Sequence, residues 1–237
     1  MLTLIMQEDI ELSEELYSYH IVKLSFCDAL RFLFSKHYKQ EIQDLIFSQT
    51  FSLMKLGENV LNPFRYRPNR VIFFARWENQ KSLSNFLKGH RWGLKLAQGW
   101  HITMKPIRSW GEFSGLEDIK MAKTKQMENQ AVVSLTIARL KLTQVFRFTR
   151  FGKPVERQVK DIKQKRMAIV TIRPLNYFST FSFWESEADL NNTLFGTKSD
   201  DRKEHSIAMK ERMNKMFHHE FMTMRFIPIE EQGKLDL

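Results

Sequence analysis

The residues with the most chemistry to offer in this chain are seven histidines: His20, His37, His90, His101, His205, His218 and His219. Neutral imidazole is a common ligand for metals and for haem iron. No nucleophile pattern competes with them. The chain has no glycine-rich phosphate loop, no G-x-S-x-G, no C-x-x-C and no H-E-x-x-H. A single axial histidine needs no partner at fixed spacing, so position must single it out. His90 and His205 stand at equivalent places in an internal repeat, each opening a helical segment. Taken alone, either reads as a helix cap or a surface side chain. His218 and His219 fall at the end of the last helical segment, where a cation suits the helix dipole. His101 opens a strand beside Trp100, and His20 is read as facing the sheet interior.

Other side chains matter next. Arg76, Arg139 and Arg173 interrupt apolar strands, and a buried arginine requires an anionic partner. Arg65, Tyr66 and Arg67 lie on a long loop, 56–69, where they read as solvated or as a clamp for an anion. Met209, Met213 and Met216 recur at i, i+4 and i+7, one apolar helix face with core packing as its default role. Such a face also suits a long apolar ligand. The single Cys27 excludes an internal disulfide and reads as a packed thiol.

The elements that must position these residues are duplicated. FARWENQKSL (Phe74–Leu83) aligns with FSFWESEADL (Phe181–Leu190), and IVKLSFCDALRF (Ile21–Phe32) with IARLKLTQVFRF (Ile137–Phe148). Each copy closes on Pro-Ile, at Pro106 and Pro228. A chain that resembles itself is read as repeated units first. Each unit reads β-α-β-β-α-β, the ferredoxin-like plan. The first unit is predicted as strand Tyr17–Leu24, helix Cys27–Phe47, strands Phe51–Leu56 and Arg70–Trp77, helix Ser82–Gln98 and strand Trp100–Ile107. The second is Val132–Leu140, helix Thr143–Lys160, strands Met167–Arg173 and Tyr177–Trp184, helices within Ala188–Phe217, and Phe221–Ile229. The fold class is α+β. Two tandem repeats, 17–115 and 131–230, joined by a connector at 116–130, cover each other's apolar sheet faces and form a dimeric α+β barrel within one chain. Ser109–Gly115, leading into the connector, is read as an ordered turn, and the polar stretch after it as a short helix. Trp77 and Trp184 close equivalent strands and read as structural.

These landmarks carry a resemblance. FSLMKLGE (51–58), VIFFARWE (71–78) and WHITMKPIRSWGEFSG (100–115) resemble the first half of the spheroidene monooxygenase family. VVSLTIARLK (132–141), FRFTR (146–150), FSFWES (181–186) and EHSIAMKERM (204–213) resemble its second half, in the same order. The match spans Phe51 to Phe226. The resemblance implies a haem-dependent oxygenase that introduces a keto group into a carotenoid or similar long apolar substrate. On that reading the cofactor is haem, bound in the core. His205, or its repeat partner His90, ligates iron, and Arg139 and Arg173 pair with the haem propionates. It also implies an electron donor such as ferredoxin and leaves room for a homo-oligomer.

Composition limits the alternatives. At 237 residues the chain fits two domains of roughly 100 residues. Twenty phenylalanines can fill a core and still wall a pocket. No apolar run approaches the ~20 residues of a membrane helix, and the N-terminal residues lack a basic leader, so a cytoplasmic location is expected. The net charge of +10 suits a solvated face or a peripheral contact with anionic membranes. Nucleic acid is disfavoured, because the aromatic signature of RNA-binding ferredoxin-like sheets is missing. Two other functions fit the same barrel: a non-catalytic protein that sequesters an apolar ligand, and a cofactor-free monooxygenase whose substrate itself activates oxygen.

Overall fold

The computed structural model describes residues 14–35, 42–59, 61–123, 129–162, 164–174, 176–195, 207, 210, 211 and 214–236. The first half contains β1 (Leu16–Lys23), α1 (Phe26–Phe34), β2 (Leu45–Met54), β3 (Tyr66–Trp77), α2 (Gln80–Gly89), α3 (Arg91–Leu96) and β4 (Trp100–Glu112). The second contains β5 (Val132–Leu140), α4 (Val145–Asp161), β6 (Lys165–Arg173), β7 (Tyr177–Trp184), α5 (Glu187–Phe195) and β8 (His218–Gln232).

Each half pairs its strands in the ferredoxin-like order, 4-1-3-2 and then 8-5-7-6, and the eight strands close into one barrel. Every pairing is antiparallel. The two seams that join the halves are unequal. β4 and β8 pair from His101↔Gln232 to Glu112↔Phe221. β2 and β6 meet only at Ser52↔Ile172, Leu53↔Thr171 and Met54↔Val170.

Strand alternation sends one set of side chains into the barrel and the other outward beneath the helices. The inward set is aromatic and sulfur-rich, including Tyr17, Tyr19, Phe51, Phe74, Phe181, Met222, Met224 and Phe226, and it is buried. Tyr19 stacks on Phe181 at 4.1 Å, and Tyr17 packs against Phe226 at 5.2 Å. The core expected to hold a cofactor is therefore filled by the chain's own rings. Burial pushes both tyrosine hydroxyls well above their ordinary value.

One barrel end is stoppered by the connector. Phe113 and Leu116 are buried in the inner core. Arg76 ties this cover down, donating to Glu15 at 2.7 Å and to the carbonyls of Glu117 and Asp118 at 2.8 and 2.9 Å. Glu15 is thus the anionic partner that Arg76 requires.

Several sequence expectations are corrected. The helix expected over 27–47 ends at Phe34, where the Ser35 N–H caps the Arg31 carbonyl. Leu45, Phe47, Phe51 and Leu53 instead follow the period of a strand, and β2 begins at Leu45. The helix expected over 82–98 is two helices broken at His90. Gly93 allows the second to fold back on the first, since a Cβ there would overlap the Phe86 carbonyl. β4 runs on through Glu112, so Ser109–Glu112 is strand and the connector begins at Phe113. Residues 116–123 form no helix. His218 and His219 open β8 and do not end a helix. Cys27 is exposed, because α1 buries Ala29, Phe32 and Leu33 instead.

Candidate functional site

The repeat aligns the two halves residue by residue, and pairing registers agree with it. In the first half the middle row of the outer face is His101–His20–Phe73, on β4, β1 and β3. The equivalent row in the second half is Thr223–Thr136–Thr180, on β8, β5 and β7. Three rings are replaced by three threonines.

Burial follows size. His20 and Phe73 are 0 % exposed and His101 is 6 % exposed. Phe32 and Phe86 pack on Phe73 at 5.7 and 5.8 Å and seal it from above. Thr136, Thr180 and Thr223, with neighbouring Ser134 and Ser182, are only partly covered. The opening is confined to the middle of the face. One end is packed by Val132, Trp184 and Leu190. At the other, Leu140, Phe217 and His218 are buried.

The result is a candidate hollow, a partly exposed row of hydroxyl side chains with aromatic rings beside it. Thr136 Oγ1 and Thr223 Oγ1 share a hydrogen bond of 3.0 Å. Phe148 of α4 meets Phe178 at 4.9 Å and Phe217 at 6.0 Å. His218 packs among Phe148, Phe217 and Phe221. Arg225 continues the floor beyond Thr223. It is 5 % exposed and neutralised by Glu187 at 2.6 Å. Small hydroxyl side chains leave room for a flat apolar group and offer it donors and acceptors.

α4, which borders the hollow, is held through polar contacts, with Arg147 donating to Glu211 at 2.7 and 2.8 Å and to the Lys215 carbonyl at 2.9 Å. None of its described side chains is buried. Glu156 ties it to the first half, accepting from Arg65 Nη2 at 2.8 and 2.9 Å and from the Gly57 N–H at 3.0 Å. Arg65 is 2 % exposed, so this loop arginine is a buried clasp and not a solvated side chain.

His90 ends α2 and caps α3, its Nδ1 accepting from the Trp92 N–H at 3.2 Å. It lies on Phe86 at 5.1 Å in the outer layer, outside the barrel. His20 and His101 stack face to face at 5.0 Å, also on the outer side. Burial and then the neighbouring His101 hold His20 far below its ordinary value. Burial also lowers His101, partly offset by the Gly99 backbone and Glu230. Among the described residues no histidine faces the barrel interior, and none forms part of a three-ligand metal cluster. His205, Met209 and Met213 lie outside the described residues. Arg139 and Arg173 do come together, flanking the Tyr177 ring at 5.9 and 5.8 Å at the barrel mouth. Arg139 pairs with Glu220 at 3.7 Å, and Arg173 donates to Gln49 at 3.1 Å. The sheet separates both from the hollow. The arginine that borders it is Arg225, which sequence reasoning missed. Its signal was an arginine inside an apolar strand, MTMRFIPI, the same signal that Arg76 gave.

No protein-family profile and no curated protein matches the chain. Solved structures do. An aldoxime dehydratase shares 6 % identity with a TM-score of 0.56, covering 94 % of this chain and 86 % of its own. An anthrone oxidase-like protein shares 10 % identity with a TM-score of 0.35, covering 94 % and 95 %. A ferredoxin-fold protein from Listeria monocytogenes 4b F2365, related to antibiotic biosynthesis monooxygenases, shares 13 % with a TM-score of 0.29, covering 90 % and 95 %. The chain has the fold of the dimeric α+β barrels, and its structural neighbours include monooxygenase-like proteins of that class. Among the described residues no helix is long and apolar enough to cross a membrane.

Proposed function

We propose that the chain is a monooxygenase that holds haem, and beside it a long apolar substrate such as a carotenoid, over the threonine floor of the second half. The observation that carries this reading is the exchange of His101, His20 and Phe73 for Thr223, Thr136 and Thr180. It leaves partly exposed a row that the first half fills with rings. The hydroxyls and the Phe148 and Phe178 rings are side chains of the kind that would contact a flat macrocycle. In the first half His90 lies over Phe86, which lies over Phe73. By the repeat, His205 is the sequence counterpart of His90, and it would be the residue that ligates the haem iron. Haem, when bound, supplies dioxygen activation. The chain's share is to orient the substrate with the aromatic wall, keep the layer dry and present hydroxyls to polar atoms.

Haemin titration followed by absorption spectroscopy tests this. The expected result is a shifted Soret band that is lost in His205→Ala and in Thr180→Phe and kept in His218→Ala. A carotenoid incubated with the loaded protein, reductant and isotopically labelled dioxygen should gain labelled oxygen. Failure of excess haemin to shift the band sinks the haem assignment. Capture of an apolar dye that Thr180→Phe abolishes, without any haem, points to the non-catalytic ligand-binding alternative.

A further inference from the structure

The outer layer of the first half carries an exposed feature that neither the barrel nor the hollow uses. α1 presents Phe26, Leu30 and Phe34 to solvent at i, i+4 and i+8, one stripe along the helix. Phe26 and Phe34 are each 57 % exposed, although α1 already buries Ala29, Phe32 and Leu33 against the sheet. The core does not need this stripe. Beside it, α1 and α3 enclose a cleft of about 420 Å³ that includes Arg31, Phe34, Arg91, Trp92 and Lys95. Lys95 is held by Asp28 at 2.8 Å. Arg31 also acts on the Asp28 carboxylate, and exposed Arg91 rests over the Trp92 ring at 5.2 Å. Trp92 is 4 % exposed, and its Nε1–H finds no acceptor.

Large apolar side chains standing clear of a helix beside exposed arginines are the make-up of an interfacial helix. We infer that the α1–α3 face docks on an anionic phospholipid surface. Arg31 and Arg91 take the lipid phosphates, and Phe26, Leu30 and Phe34 enter the acyl boundary. Each basic side chain near such a surface contributes about 1 kcal/mol, while exposed aromatics add burial that salt does not screen. The net charge of +10 favours the approach. This surface lies on the half opposite the hollow, and the inference stands whether or not the hollow binds haem.

Co-sedimentation of the full chain with phosphatidylcholine vesicles, with and without phosphatidylglycerol, tests the inference. Binding should require phosphatidylglycerol. Arg31→Glu/Arg91→Glu should lower it at least roughly thirtyfold, the fold-change of two lost basic contacts. Phe26→Ser/Phe34→Ser should leave a weaker binding that high salt removes completely. Both pairs are exposed, so circular dichroism should show an intact fold. The charge-matched pair Arg150→Glu/Lys160→Glu on α4 should bind as the unchanged chain does. Equal binding to pure phosphatidylcholine, or equal loss in the α4 pair, overturns the assignment. So does saturation by inorganic phosphate without vesicle binding. A concentration-dependent dimer that Phe34→Asp disrupts, with no vesicle binding, would assign the stripe to a second copy and overturn it as well.

Discussion

In the first half the middle of the outer sheet face is two stacked imidazoles and a phenylalanine, sealed by Phe32 and Phe86. In the second half the same three positions are threonines under a helix with no buried described side chain. The strands, their order and their register are otherwise matched. A duplicated fold can therefore keep one copy as a packed scaffold and open the other. The change is local, because strand pairing and the inner core do not depend on outward side chains. What separates the two halves at this face is side-chain volume along one row.

That contrast can be broken from either side, and the largest effect lies in the packed half. Phe73→Ala should destabilise the protein by about 3–5 kcal/mol, the usual cost of emptying a sealed aromatic site. Thr180→Ala, at the matching position, should cost well under 1 kcal/mol, because the site is already open. Urea unfolding of both variants measures the difference, and equal losses would refute the hollow. Arg65→Met comes next. It leaves Glu156 without its buried partner and should cost about 3 kcal/mol. It should also increase hydrogen exchange across α4 more than elsewhere.

The halves should also differ toward acid. His20 and His101 have folded values below the ordinary 6.5, so the unfolded chain binds protons that the folded one refuses. Stability is then intact above about pH 6.5 and is lost as pH falls below it. The slope reaches about 1.4 kcal/mol per pH unit for each group. Replacing His20 and His101 by Thr, as in the second half, should flatten this dependence between pH 6.5 and 5, read by denaturant titrations at each pH. The threonine row should give another small effect. Thr136→Val removes the 3.0 Å bond to Thr223 and should cost about 1 kcal/mol.

Much of the architecture could be read from the residues, because repetition is a signal that survives divergence. The Phe-Trp-Glu-Leu landmarks and the paired Pro-Ile endings located six of the eight strands closely. β2 was misread because Leu45-Ile46-Phe47 is too short a run to distinguish helix from strand. The site was less legible. His90 and Arg173 stand out by residue type, yet His90 caps a helix and Arg173 faces the barrel mouth. The informative positions, Thr136, Thr180 and Thr223, carry no distinctive chemistry. Only the pairing register, which brings them side by side, gives them meaning.

The unequal seams have a mechanical consequence. β4 and β8 are zipped over most of their length, whereas β2 and β6 share three residue pairs. Under load or heat the ring of strands should part at β2–β6 while β4–β8 stays fastened. The cylinder would then open like a clasped bracelet, with the long seam as its hinge. Once it parts, the rings packed inside meet water along a single edge.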